Sequence, residues 1–227
     1  MRFHSGTGTW VRQSGLCLLV IAVVALAGAA SAAAATNVAV WHMEESSGAM
    51  KDAGAAPANN GTLHGSVTRG AGGASGRGYS FTRGWVRVPT DGSLNPGSAN
   101  VTIQARVKPT SLPTSGDLDI IRKGDAPSQQ YKVEILQSGA LFCQFKGSNG
   151  SAAATSSKKI QPNTGFHIIK CIKTGSKVQA VVDGATVGKT ATVGSITNQA
   201  PVVLGAHTSG TNDFYKGVMD EVSITIG

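Results

Sequence analysis

VTIQARVKP, Val101 to Pro109, alternates without a break. Val101, Ile103, Ala105 and Val107 fall on one side, and Thr102, Gln104, Arg106 and Lys108 on the other. Successive side chains of an extended strand point to opposite faces, so this period of two marks a strand half buried against a core. Working outward, similar short runs lie at Gly84–Pro89, Asp119–Lys123, Tyr131–Leu136, Leu141–Lys146, His167–Thr174, Lys177–Asp183, Val202–Gly205 and Val218–Ile226. Turn signals separate them, among them Asp91-Gly92, Asn95-Pro96, Ser138-Gly139, Thr174-Gly175-Ser176 and Asp183-Gly184. No stretch carries a 3.6-residue period. Many short strands with Gly-rich turns predict an all-β, two-sheet antiparallel sandwich. Gly70–Gly78 (GAGGASGRG) and Gly147–Ser157 read as surface loops between strands.

Residues 1–32 read as a signal peptide. Arg2 and Arg12 give a basic start, Leu16–Leu26 is an uninterrupted apolar run, and Ala30-Ser31-Ala32 offers the small residues a signal peptidase accepts. The alternative is a membrane anchor, but a spanning helix wants about 20 strongly apolar residues, and this stretch ends in Ala, Gly and Ser. The expectation is a secreted, extracellular protein whose single domain, 33–227, is not inserted in a membrane and acts as a monomer.

The chain carries 20 Lys and Arg against 12 Asp and Glu; without Arg2 and Arg12 the net charge is +6. A secreted basic protein suits anionic polymers such as uronic-acid glycans, while the plain alternative is solubility. Nucleic acid is not expected as a partner. There is no basic helix, and the few aromatics do not interleave with the charges as a stacking platform requires.

Of the 3 cysteines, Cys143 and Cys171 lie beyond the leader, and an even pair in a secreted chain suggests a disulfide. They sit on Leu-Phe-Cys-Gln-Phe and Ile-Lys-Cys-Ile-Lys, two strands that would bond as antiparallel neighbours; two buried free thiols are the alternative. Trp41 and Trp85 read as core residues. No catalytic constellation emerges. Glu134 stands alone on YKVEIL, and Glu44 and Glu45, being adjacent, would face opposite ways on a strand. Tyr131, His167, Gln130 and Arg122 could serve a lyase, but no spacing groups them.

A wider pattern joins these runs. VAVWHMEESSG, NNGTLHG, GYSFTRGWVRVP, VTIQARVKP, IIRKG, YKVEIL, HIIKCIKTGSKVQAVVDG, VVLGA and GVMDEVSI succeed one another from about Asn37 to Gly227. In that order and spacing the chain resembles the laminin-G-like, concanavalin A-like jelly roll. The resemblance implies that the first and last strands pair and that calcium sits where they meet. The candidate ligands are Asp52, Asn60, Asp220 and, more weakly, Glu44. The plain alternatives are that Asp52 initiates a turn and that Lys216 pairs with Asp220. The chain departs from the family at Phe81-Thr82-Arg83-Gly84, which lacks a carboxylate, and at Phe166-His167, where Trp is common.

The fold hosts lectins, glycosidases, lyases and adhesion modules, so it does not by itself set the function. The favoured reading is a noncatalytic, calcium-stabilised module binding a polysaccharide or cell-surface glycan. Asn212, Asp213 and Tyr215 in the loop HTSGTNDFYK are the candidate ligand-binding residues, against an ordinary hairpin loop. The alternatives are a structural or adhesion module that binds a protein, and a polysaccharide lyase or hydrolase with a dispersed site.

Overall fold

The computed structural model describes residues 1–9 and 34–227, and the chain divides into two units, Met1–Ala32 and Ala33–Gly227. The apolar run and cleavage site of the expected leader, with Cys17, lie outside the described residues. Among the described residues, all the strands belong to the second unit.

One layer consists of β11 (Ala185–Thr190), β10 (Lys177–Val182), β9 (His167–Thr174), β4 (Val101–Pro109) and β13 (Gly217–Ile226), in that order of pairing. The other runs β12 (Val202–Leu204), β5 (Asp117–Lys123), β6 (Gln130–Leu136), β7 (Ala140–Gly147) and β8 (Gly150–Lys159). A long strand, β3 (Arg77–Val88), joins them. Its Tyr79–Phe81 segment pairs with Met219–Gly217 of β13, and its Val86–Val88 segment with Leu204–Val202 of β12. The hydrogen-bonded ladder is therefore continuous and folds back on itself into the antiparallel sandwich that the alternating runs require. Hydrophobic side chains from both layers, including Ile103, Ala105, Val107, Ile135, Leu141, Phe145 and Ile169, merge into one buried cluster.

The ends of the domain meet. Thr36–Trp41 of β1 pairs with Ile226–Val222 of β13, while β2 (Thr62–Gly72) lies along β3. In β4 the burial alternates at every residue, as its sequence requires. Trp41 is fully buried and its indole N–H donates to the Asn59 carbonyl at 2.8 Å. Trp85 is only half-buried, its ring stacked 5.2 Å from His64.

Three expectations need correction. Gly150–Lys159 is a strand, since Ala152, Ala154 and Ser156 are buried at alternate positions; Gly147–Ser157 is not a loop. Much of Gly70–Gly78 is also strand, the ends of β2 and β3 around a turn at 73–76. Cys143 and Cys171 are bonded, with Cα atoms 5.4 Å apart, but not as hydrogen-bonded neighbours. β7 pairs with β6 and β8, and β9 with β4 and β10, so the bond crosses from one layer to the other.

A buried lysine ties the second layer to a loop. The Lys123 ammonium, fully buried, donates to the carbonyls of Asn198 and Ala200 and to the Asn198 side chain at 2.7–3.0 Å. Burial pushes its pKa down from 10.5 to about 8, and the Asp91 charge offsets this only in part. The unfolded chain therefore holds this proton more tightly, and stability rises with pH through the window from about 8 to 10.5. Wild type should gain thermal stability relative to Lys123→Met across that window. A constant difference between the two melting curves would show that Lys123 titrates as an ordinary lysine.

Candidate functional site

The outward face of β5 to β8 carries a polar groove. Register sets its rows: Arg122 lies opposite Lys132, Lys132 opposite Gln144, and Gln144 opposite Ala153. One step along, Gln130 pairs with Lys146 and Lys146 with Ser151. A step the other way, Asp119 pairs with Glu134, Glu134 with Phe142 and Phe142 with Thr155. Asp125 and Ala126 from the β5–β6 loop, with His207 from the loop after β12, close one end of a groove of about 590 Å³. Lys132, Gln144 and Lys146 are half-exposed along it, and Phe142, also half-exposed, stands beside it. The Lys132 ammonium sits 5.3 Å from the Phe142 ring centre, and Lys146 donates to the Pro127 carbonyl.

Beneath this surface lies a buried charge network. Arg122, its side chain 7% exposed, places Nε 3.1 Å from Asp119, Nη1 2.8 Å from Asp125 and Nη2 2.6 Å from Glu134. Lys132 adds a second cation 2.6 Å from the same Glu134 oxygen, and His207 stands 3.1 Å from Asp125. Burial opposes the Arg122 charge, but Asp119, Glu134 and Asp125 outweigh it and hold its pKa above the usual value. Burial raises Asp119 well above the carboxylate range, although Arg122 pulls it back. It also lifts Asp117 to about 6, helped by the nearby charges of Glu134 and Asp213.

Sequence reasoning picks out Arg122, Gln130 and Glu134 singly and does not group them. Alternation puts Lys132 and Glu134 on one face of β6, but Asp119 and Arg122, three apart on β5, line up with them only through the irregularity between Asp119 and Ile121. The lyase set does not assemble. Tyr131 is fully buried, with its hydroxyl donating to the Leu94 carbonyl. His167 lies in the other layer, its Nδ1 2.8 Å from Asp183 and its Nε2 accepting from the Gln161 N–H.

The expected calcium ligands divide into two pairs. Asp52 accepts the N–H groups of Val40 and Gly54 on Oδ1 and of Asn59 on Oδ2, while its own N–H donates to Asn60 Oδ1. That pair pins the Lys51–Asn60 loop onto β1. Asp220 accepts from Ala74 and Ser75 on Oδ2 and from Glu221 on Oδ1, and Glu44 accepts from the Arg77 N–H. This second pair holds the β2–β3 turn, where Gly76 (φ +60) leaves room that a Cβ would take, 2.2 Å from Glu44. Both oxygens of Asp52 and both of Asp220 thus already accept N–H groups, which compete with a cation for the same lone pairs. Among the described residues Asp52, Asp220 and Glu44 do not converge as a three-carboxylate cluster.

The expected ligand-binding trio also separates. Tyr215 is fully buried, its ring edge-on to Phe81 and its hydroxyl donating to the Val218 carbonyl, so it cannot stack on a ligand. Its neighbour Phe214 is the half-exposed ring of that loop, 6.2 Å from Trp85 and beneath Arg83. Asn212 is exposed and donates to Asp213 at 2.9 Å; both line a separate depression with Asp117 and Lys216.

Residues 81–225 match the family model described as the concanavalin A-like lectin/glucanases superfamily. Among curated proteins none matches the chain in sequence. Similar solved structures include the binding domain of Paraclostridial Mosquitocidal Protein 1, with a TM-score of 0.65 and 16% identity over 83% of this chain and 48% of that one. Domain 4 of AbnA, a GH43 extracellular arabinanase from Geobacillus stearothermophilus solved in complex with arabinotriose, gives 0.63 and 17% over 85% and 93%. The binding domain of Botulinum Neurotoxin DC in complex with SialylT gives 0.62 and 10% over 83% and 47%. The chain spans about half the length of the Paraclostridial and Botulinum domains and nearly all of the AbnA domain. At these identities the likeness is one of fold.

Proposed function

The chain belongs to the concanavalin A-like lectin/glucanase superfamily, and from that premise we propose that its Ala33–Gly227 unit is a secreted, noncatalytic module that binds glycan chains, acidic ones in preference. The observation that carries this is the groove over β6 and β7, where Lys132, Gln144 and Lys146 line a concavity of about 590 Å³. Sugar recognition needs many hydrogen-bonding groups and some apolar surface, and a cation on either side of Gln144 adds affinity for carboxylate or sulfate. The half-exposed Phe142 ring, against Lys132, offers apolar surface beside the groove. The net charge of +6 without Arg2 and Arg12 supports an anionic partner. Binding of arabinotriose by the AbnA domain supports the glycan class. Noncatalytic action is supported by the two carboxylates of the row beside the groove: Asp119 and Glu134 are each held by a cation and buried.

Affinity electrophoresis against uronate, sulfated and neutral polymers tests the reading. Acidic polymers should retard the protein, and the retardation should fall as salt rises, because screening shortens to about 8 Å at physiological ionic strength. Lys146→Ala should weaken binding about tenfold, as expected for loss of one charge-assisted hydrogen bond. No retardation by any polymer at low salt would reject the glycan reading in favour of a module that binds protein.

A further inference from the structure

We propose that Asp117, Asp119 and Glu134 form a binding site for a hard divalent cation, calcium foremost, beneath one end of the groove. The site is independent of the glycan reading and differs from the Asp52, Asn60, Asp220 and Glu44 set. Among the described residues these three place one carboxylate oxygen each within 4.8 Å of one another. Asp117 and Asp119 lie two apart on β5, and Glu134 stands opposite Asp119 on β6.

The second observation is an orphaned oxygen. Asp119 is fully buried, yet its Oδ2 has no hydrogen-bond partner, and Asp117 Oδ1 is buried and likewise unpaired. The neighbouring cations occupy the opposite oxygens: Arg122 Nε lies on Asp119 Oδ1, while Arg122 Nη2 and Lys132 Nζ lie on Glu134 Oε1. Arg122 and Lys132 thereby fix the orientation of both carboxylates, as outer partners do around a metal, and leave Asp119 Oδ2 without a donor. A carboxylate oxygen sealed from water with no donor is costly, and either a proton or a cation relieves it.

Charge favours the cation. With all three carboxylates ionised, as they would be around a bound cation, Arg122 and Lys132 leave one negative charge uncompensated, and Asp213 beside Asp117 adds another. The donors are oxygens, with no imidazole or thiolate among them, which selects a hard ion over zinc or copper. Calcium accepts the irregular shell that two strands supply, whereas magnesium demands a near-octahedral one. The contrast with Asp52 and Asp220 is chemical, since their oxygens already accept N–H groups.

Calorimetric titration of the chelator-treated protein with calcium and with magnesium at neutral pH tests this, with thermal midpoints read in parallel. The expected result is a calcium site in the range of extracellular modules, about 10⁻⁴ to 10⁻³ M, with a raised midpoint and weaker magnesium binding. Asp117→Asn and Glu134→Gln should each weaken calcium at least tenfold, and Asp220→Asn should leave it unchanged. Retardation by glycan, measured in chelator, reports the groove separately. A crystal soaked with a lanthanide should give an anomalous peak between the three carboxylates, whether or not the variants fold. Absence of heat, midpoint shift and peak would overturn the proposal and leave a shared proton on these oxygens. Calcium binding unaffected by both substitutions, or a peak beside Glu44 and Asp220, would overturn it equally.

Discussion

Arg122→Leu should cost about 3–5 kcal/mol of stability, the range for breaking a buried ion pair by removing one partner. The side chain is 7% exposed and holds Asp119, Asp125 and Glu134 together. Without it, Asp119 is left fully buried beside Glu134, with only Lys132 to answer both. Arg122→Lys should rescue only part of the loss, because one ammonium cannot reach three carboxylates as the guanidinium fork does. Combining Arg122→Leu with Asp119→Asn and Glu134→Gln should recover more than a sum of single effects allows, since the groups form one network. Urea unfolding of the set measures this. A loss below about 1 kcal/mol for Arg122→Leu, the range of an exposed pair, would show that water solvates the network.

Loss of the Cys143–Cys171 bond should be of similar size. The cysteines are 28 residues apart, and closing a loop of that length stabilises by roughly 3–4 kcal/mol in the chain-entropy model. For a domain of this size each kcal/mol shifts the thermal midpoint by about 2–4 °C, so Cys143→Ser with Cys171→Ser should lower it by roughly 6–16 °C. Because the bond joins the two layers, the groove strand β7 should loosen from β9, and hydrogen exchange in β7 should rise more than in β4. An unchanged midpoint on reduction would mean that packing alone holds the layers together.

The strands legible in the sequence are those that bury one face with large side chains. β4 is the clearest, and His167–Thr174 is bounded correctly because it turns Ile169 and Cys171 inward and Ile168, Lys170 and Ile172 outward, and ends at the Thr174-Gly175 turn. β8 is hidden because its inward residues, Ala152, Ala154 and Ser156, are too small to raise the local hydrophobicity. β2 is hidden because it packs along β3 with much of its length exposed. Pairing of the first and last strands is implied by the resemblance and is present.

The site is less legible, for reasons of register. Asp119 and Glu134 face each other only because β5 and β6 pair as they do, with an irregularity between Asp119 and Ile121. Along the chain, Glu134 is a lone acid and Asp117 and Asp119 look like turn and strand-edge residues. The error at Tyr215 is one of phase, since Phe214 faces outward and Tyr215 inward. For Asp52 and Asp220, the sequence shows the carboxylates but not the backbone N–H groups that fill them.

Glycan binding at the groove over β6 and β7 is tested most directly by amide chemical-shift mapping. The labelled protein would be titrated with an acidic oligosaccharide that retards it. The perturbed amides should cluster in Gln130–Leu136, in Ala140–Gly147 and in the β5–β6 loop beside Asp125, and Lys146→Ala should diminish the shifts there. Shifts confined to the outer face of β4 and β9, with the groove strands unmoved, would contradict it.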